Sequence, residues 1–224
     1  MMSATVLPSR PMPHHRAEKV WTIVVAAGSA RRFGSPKQYE SLGETRIIDM
    51  SVATARAASD GVVIVVPPGD EASEHGVAGG ATRSESVRNG LAAVPGEATI
   101  ICVHDAARPF AGADLYDAVI TAVADGADCA IPGVAVTDTI KVVDAVGAVV
   151  ATPDRHTLRA VQTPQAFRAA LLRAAHAGGA EGTDDAALVE ANGGHVVVVA
   201  GSDDNRKITY PADLAWARSK VHAR

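Results

Sequence analysis

The segment TIVVAAGSARRFGSPKQY, Thr22 to Tyr39, ends an apolar strand-like run at Ala26-Ala27-Gly28 and then places Arg31, Arg32 and Lys37 close together. Small residues let a ligand approach the backbone, whose N–H groups can face phosphate oxygens, and the cations supply the countercharge. There is no G-x-G-x-x-G, which disfavours a dinucleotide fold, and no G-K-[ST], which excludes a P-loop. The competing reading is a solvated basic loop after an ordinary strand.

In VHDAARPF, Asp105 follows another apolar run and so stands at the same edge of a sheet. A carboxylate there can hold Mg²⁺, which takes few protein ligands and keeps its waters for substrate phosphates. Arg108 either shapes the turn or meets substrate, and His104 is read as structural. GGATRSESVRNGL, Gly79 to Leu91, is a glycine turn leading into a helix. Its small residues can face a base, with Ser86 offering hydrogen bonds; a plain helix start accounts for it equally. Arg155, Thr163 and Thr183 stand at element boundaries, where each can instead be a cap or turn residue. Lys207 in DDNRKIT is either catalytic or a rim charge, and Arg218 and Lys220 read as solvated surface.

Positioning these groups requires strands that end together. Apolar runs at Val20–Ala26, Val62–Val66, Thr99–Val103, Cys129–Val136 and His195–Ala200 suit strands buried on both faces, as in a parallel sheet. Helical spacing fills Arg46–Ala58, Arg83–Ala93, Ala113–Ala124, Pro164–Ala177, Thr183–Ala191 and Pro211–His222. The alternation predicts an α/β sandwich with right-handed crossovers, whose ligands bind beyond the carboxyl ends of the strands. One stretch departs from it: Thr139–Val143 and Ala148–Thr152 alternate like strands around DAVG and predict an inserted β-hairpin. Either it adds an edge to the sheet, or it is an arm that reaches a second subunit.

Composition narrows the function classes. A net charge of −4 over 224 residues argues against a nucleic-acid binder. No apolar run approaches a membrane span, and the first 18 residues lack the apolar core of a signal peptide. They read as a disordered tail on a cytoplasmic protein. Cys102 and Cys129 sit in apolar surroundings without metal-site spacing and read as core residues.

AAGSARRFGSPKQY, GGATRSESV, VHDAARPF, TDTIK, QTPQAF and GTDDAALVE occur here in one order from about Trp21 onwards. In that order the chain resembles the 2-C-methyl-D-erythritol 4-phosphate cytidylyltransferase family of the non-mevalonate isoprenoid pathway. The resemblance implies a single Rossmann-like domain over residues 19–224, with a mainly parallel sheet and a dimerising arm at about 134–155. It implies that CTP and the polyol phosphate give a cytidine diphosphate alcohol and pyrophosphate, with Mg²⁺ or another divalent cation. By position, Arg32, Lys37 and Lys207 match the cations around the triphosphate, and Asp105 the metal-associated aspartate. Ala26, Ala27, Gly28, Gly80 and Ser86 match the nucleotide pocket. Arg108, Thr139 and Thr183 match the acceptor-phosphate side, while Arg155 and Thr163 match groups brought in by the dimer partner. Ala30 stands where glycine is expected, and Arg206 where an apolar residue is more usual. A ribitol 5-phosphate cytidylyltransferase would share the nucleotide motifs. A noncatalytic nucleotide sensor would have no need of Lys37, Lys207 and Asp105 together.

Overall fold

The computed structural model describes residues 18–28 and 33–222. The N-terminal tail up to residue 17, together with Ala30, Arg31 and Arg32, lies outside the described residues. The chain runs β1 (Val20–Val25), β2 (Ser41–Leu42), β3 (Thr45–Arg46), α1 (Ile47–Ala58), β4 (Gly61–Val66), α2 (Glu71–Glu74), β5 (Val77–Ala78) and α3 (Arg83–Ala93). It continues through β6 (Ile100–Asp105), α4 (Ala113–Ala124), β7 (Cys129–Ala135), β8 (Val142–Val143) and β9 (Val149–Ala151). Then come β10 (Arg159–Val161), β11 (Gln165–Arg168), α5 (Ala169–His176), α6 (Asp185–Ala191), β12 (Val196–Ala200) and α7 (Pro211–His222).

β1 lies between β4 and β6, parallel to both, so Val25 sits level with Val65 on one side and Asp105 on the other. The pleat sends alternate residues to opposite faces. Val20, Val24, Ile100 and Cys102 meet α1 and α4, whereas Ile23, Val65, Ile101 and Val103 meet α3 and α5. This is the expected three-layer α/β sandwich, with strands apolar on both faces because both are covered. The cysteines are buried and free, as expected of core residues, and burial pushes the Cys102 thiol up to about 12.

The sequence pattern misled at Pro164–Ala177, expected as one helix. Gln165–Arg168 is a strand, antiparallel to β6 on one side and β7 on the other, and the helix starts only at Ala169. Two neighbouring strands supply its backbone partners, and Ala166 and Phe167 are completely buried. Tertiary pairing outweighs the local preference of an alanine-rich run. The sheet is therefore mixed. β12 closes β7's other edge in parallel register.

The hairpin forms, with shorter strands than expected: Val142–Val143 pairs with Val149–Ala151 as a sheet of its own, not as an edge of the main one. A smaller apolar cluster of Leu42, Ile47, Ile208, Leu214 and Ala217 seats α7 and fixes the segment before it. Ile208 is fully buried and its N–H donates to Ala107 O at 2.8 Å, which places Lys207 opposite the end of β6. Arg206, the departure from the apolar pattern, stacks on the Trp216 ring at 4.9 Å. No helix among the described residues is long and apolar enough to cross a membrane.

Candidate active site

The carboxyl ends of β1 and β6 open into a cavity of about 720 Å³. Ala26, Ala27 and Gly28 form one wall, and Gly80 and Ser86 at the start of α3 form another. Lys37, Asp105 and Lys207 also border it. The α3 entry is built by a capping box: Thr82 Oγ1 accepts from Glu85 N at 3.0 Å, while Glu85 accepts from Ala81 N at 2.7 Å. Gly79 is required by close approach, since a Cβ there would stand 2.2 Å from that of Ala27. Ser86 lines the cavity and also holds the turn. Its hydroxyl donates to Thr82 O at 2.9 Å and accepts from Gly80 N at 3.1 Å.

A second cavity of about 260 Å³ adjoins the first. Arg83, Asp105 and Lys207 line both, so they form the partition between them. Lys207 Nζ donates to Asp105 Oδ2 at 2.5 Å, and Arg83 Nε to Asp105 Oδ1 at 3.3 Å. Burial alone would raise the Asp105 carboxyl, but the charges of Arg83, Lys207 and Arg108 outweigh it and hold the group well below the usual carboxylate range. Asp105 is thus an anion at any physiological pH. Its backbone N–H donates to Thr163 Oγ1, 3.0 Å away, and the same hydroxyl lies 3.1 Å from His104 Nδ1. Burial lowers His104 to about 4, so the imidazole is neutral and structural.

Lys37, in a short 3₁₀ turn at Lys37–Tyr39, donates from Nζ to Ile208 O at 2.6 Å. That bond brings the first basic segment against the residue next to Lys207. Arg108, Thr163 and Thr183 line the smaller cavity. Thr163 therefore reaches a site of its own chain, whereas the resemblance assigned it to a partner. Thr139 and Arg155 line neither cavity; both are exposed on the arm, where Arg155 donates to Thr137 O at 2.8 Å. Arg32 lies outside the described residues.

Sequence reasoning passed over Arg83 and Asp185, although both stand inside quoted motifs. Arg83 donates to Asp185 Oδ2 at 2.7 Å. Neither residue type nor spacing marks an arginine in a helix's first turn as central; only its convergence with Asp105 does. Among the described residues no group of three or more His, Cys, Asp or Glu is placed to hold a metal ion. Among the described residues Asp105 is the one carboxylate lining the larger cavity, and its charge and position suit a cation that is held mainly by substrate phosphates.

A mainly parallel sheet ending in a cation-lined cavity beside a smaller one, without a glycine fingerprint, makes a Rossmann-like fold with a site suited to phosphate groups, and the family match makes the class a nucleotidyltransferase. The chain belongs to the family described as IspD, 2-C-methyl-D-erythritol 4-phosphate cytidylyltransferase, whose model matches residues 20–223. It is 44% identical over 230 residues to the 2-C-methyl-D-erythritol 4-phosphate cytidylyltransferase of Streptomyces coelicolor, covering 90% of this chain and 84% of that one. It is also 44% identical to a bifunctional IspD/IspF enzyme of Anaeromyxobacter dehalogenans, covering 93% of this chain but spanning only 58% of the relative. Among solved structures, 4-diphosphocytidyl-2C-methyl-D-erythritol synthase from Anaerococcus prevotii superposes with a TM-score of 0.81 at 28% identity, covering 92% of this chain and 96% of that one. The cytidylyltransferase of Thermus thermophilus gives a TM-score of 0.77 at 35% identity, covering 92% and 99%.

Proposed function

We propose that this chain transfers the cytidylyl group of CTP to 2-C-methyl-D-erythritol 4-phosphate, giving 4-diphosphocytidyl-2-C-methyl-D-erythritol and pyrophosphate for isoprenoid precursor synthesis. Family membership supports the reaction, and one observation supports its placement: the two cavities share the partition of Arg83, Asp105 and Lys207. CTP in the larger and the acceptor phosphate in the smaller would meet at that partition. An acceptor phosphate oxygen attacks the α-phosphorus in line, the bond to the β-phosphate oxygen breaks, and pyrophosphate leaves with the electron pair. The nucleophile is already an anion, so no general base is needed. Lys37 and Lys207 lie where charge grows, and transfer of this kind is driven by positioning and electrostatic stabilisation.

Asp105 would hold Mg²⁺, which when bound neutralises triphosphate charge. Residues 19–224 act as one domain, and the enzyme works in the cytoplasm as a homodimer joined through its arms. Exposed Val142, Val143, Val149 and Val150 support that pairing, because contiguous apolar surface marks an interface. The partner's arm would then deliver Arg155 and Thr139 to the acceptor. Pyrophosphate release is measured with CTP, Mg²⁺ and either methylerythritol phosphate or ribitol 5-phosphate. Turnover with the first is expected; preference for ribitol 5-phosphate overturns the acceptor, and no release with any acceptor overturns the reaction. Uridine triphosphate is expected to be poorer by orders of magnitude, since a pocket built for a polar edge leaves its own groups unpaired with the wrong base.

A further inference from the structure

Asp185 is completely buried and lines neither cavity, yet both its oxygens are engaged. Oδ2 accepts from Arg83 at 2.7 Å, and Oδ1 lies 3.0 Å from Nε2 of His176, which is itself buried at the end of α5. Arg83 reaches the other way with Nε to Asp105. A continuous row therefore runs from His176 at the end of α5 through Asp185 and Arg83 to Asp105 and Lys207, at the partition between the cavities. Burying such an ion pair adds little net stability, because desolvation consumes most of the attraction. Orientation is what it supplies. A guanidinium is planar, and anchoring one edge on a buried carboxylate fixes where its other donors point.

A second set of bonds ties the same elements together. Arg88 donates to Ala180 O at 2.7 Å and Glu181 at 2.9 Å, and Thr82 donates to Glu181 at 3.0 Å. Glu181 and Ala180 precede Thr183, on the smaller cavity, and Thr82 borders the larger one. The start of α3 and the loop before α6 are thus joined at two levels, outside and inside.

We infer that Asp185, backed by His176, is a positioning residue for cytidylyl transfer: it clamps Arg83 so that the guanidinium holds the Asp105 carboxylate between the two substrate cavities. The inference rests on the cytidylyl-transfer reading. Asp185 touches no substrate and acts only through Arg83, which makes a double-mutant cycle its test. Asp185→Asn keeps the shape and removes the charge; it is expected to lower kcat/KM for the acceptor by roughly 10–100-fold, the scale on which outer partners of active-site groups act. Arg83→Ala is expected to lose at least as much. In the double variant the loss is expected to equal that of Arg83→Ala alone, whereas a merely structural Asp185 would give the product of the two losses. Thermal melting and active-site titration confine the comparison to folded enzyme. If Asp185→Asn does not fold, His176→Phe enters the same cycle, with a smaller loss that must again vanish in the Arg83→Ala background. A cycle on CTP affinity, read by calorimetry, decides the clamp without turnover, so failure of the reaction and failure of the clamp are separate results. Additive losses, or wild-type kinetics in Asp185→Asn, overturn the inference.

Discussion

At the carboxyl ends of β1 and β6, carboxylates meet partners within the chain: Asp105 lies between Arg83 and Lys207, and Asp185 accepts from Arg83 with His176 Nε2 at its other oxygen. The arm around β8 and β9 is the reverse. Val142, Val143, Val149 and Val150 face outward on both of its short strands, and Val146 at its turn is 89% exposed. A hairpin this short is marginal in water by itself. Among the described residues the first region pairs its charges with one another, whereas the second leaves apolar side chains exposed. On the proposed function, triphosphate chemistry would fall to the subunit that holds the cavities, and acceptor recognition is where a second copy would contribute.

The sharpest way to break this contrast is to remove a charge from the first region. Lys207→Ala and Lys37→Ala are each expected to lower kcat by about 10²–10³, the usual effect of losing one donor to a developing anion. Near-normal turnover at saturating substrate in both would take these two lysines out of the mechanism. Asp105→Asn follows, with an expected rise of about 10–100-fold in the divalent cation needed for half-maximal rate. Titrating Mg²⁺ into chelator-treated enzyme measures it, and an unchanged midpoint would remove the carboxylate from metal binding.

Changes in the arm are expected to act on the acceptor alone. A guanidinium bonded to a phosphate contributes about 1.5–3 kcal/mol. Arg155→Ala is then expected to raise acceptor KM by about 10–100-fold, with KM for CTP unchanged. Mixing Arg155→Ala with Lys37→Ala subunits restores one intact site per heterodimer if the arm crosses over, and restores none if it serves its own chain. Val143→Asp with Val149→Asp is expected to yield folded monomers by light scattering.

The smallest effect concerns pH. The buried His104 has a folded-state value of about 4, below its ordinary one, so the unfolded chain binds a proton that the folded chain refuses. The stability it contributes is present above the ordinary histidine value of about 6.5 and is lost as pH falls towards 4. The slope in that window is at most about 1.4 kcal/mol per pH unit, and His104→Gln is expected to flatten it in melting curves taken from pH 7 to 5. Unchanged slopes would mean that another group controls acid stability.

Much of this was legible in residue patterns, for reasons that also mark where reading stops. Short Val and Ile runs between alanine-rich helical segments define a sheet covered on both faces, because burial on both sides demands apolar side chains at every position. Ala26-Ala27-Gly28, Asp105 and Lys207 were recognisable because small residues and charges at strand ends have few other uses. Gln165–Arg168 was not recognisable as a strand, since its partners come from β6 and β7, far away in the chain. Nor was the joining of Arg83 to Asp185, 102 residues apart, or of Lys207 to Asp105 at the same separation. Local sequence carries periodicity, propensity and residue type, which act over a few positions. Which charges meet depends on strand order and on the seating of α3, α6 and α7 against the sheet, and those are set by packing between distant segments. The chain's own sequence thus determined the α/β class and most of the groups available for chemistry. Only the tertiary structure decided that Asp105 stands between two cavities with Arg83 clamped beside it.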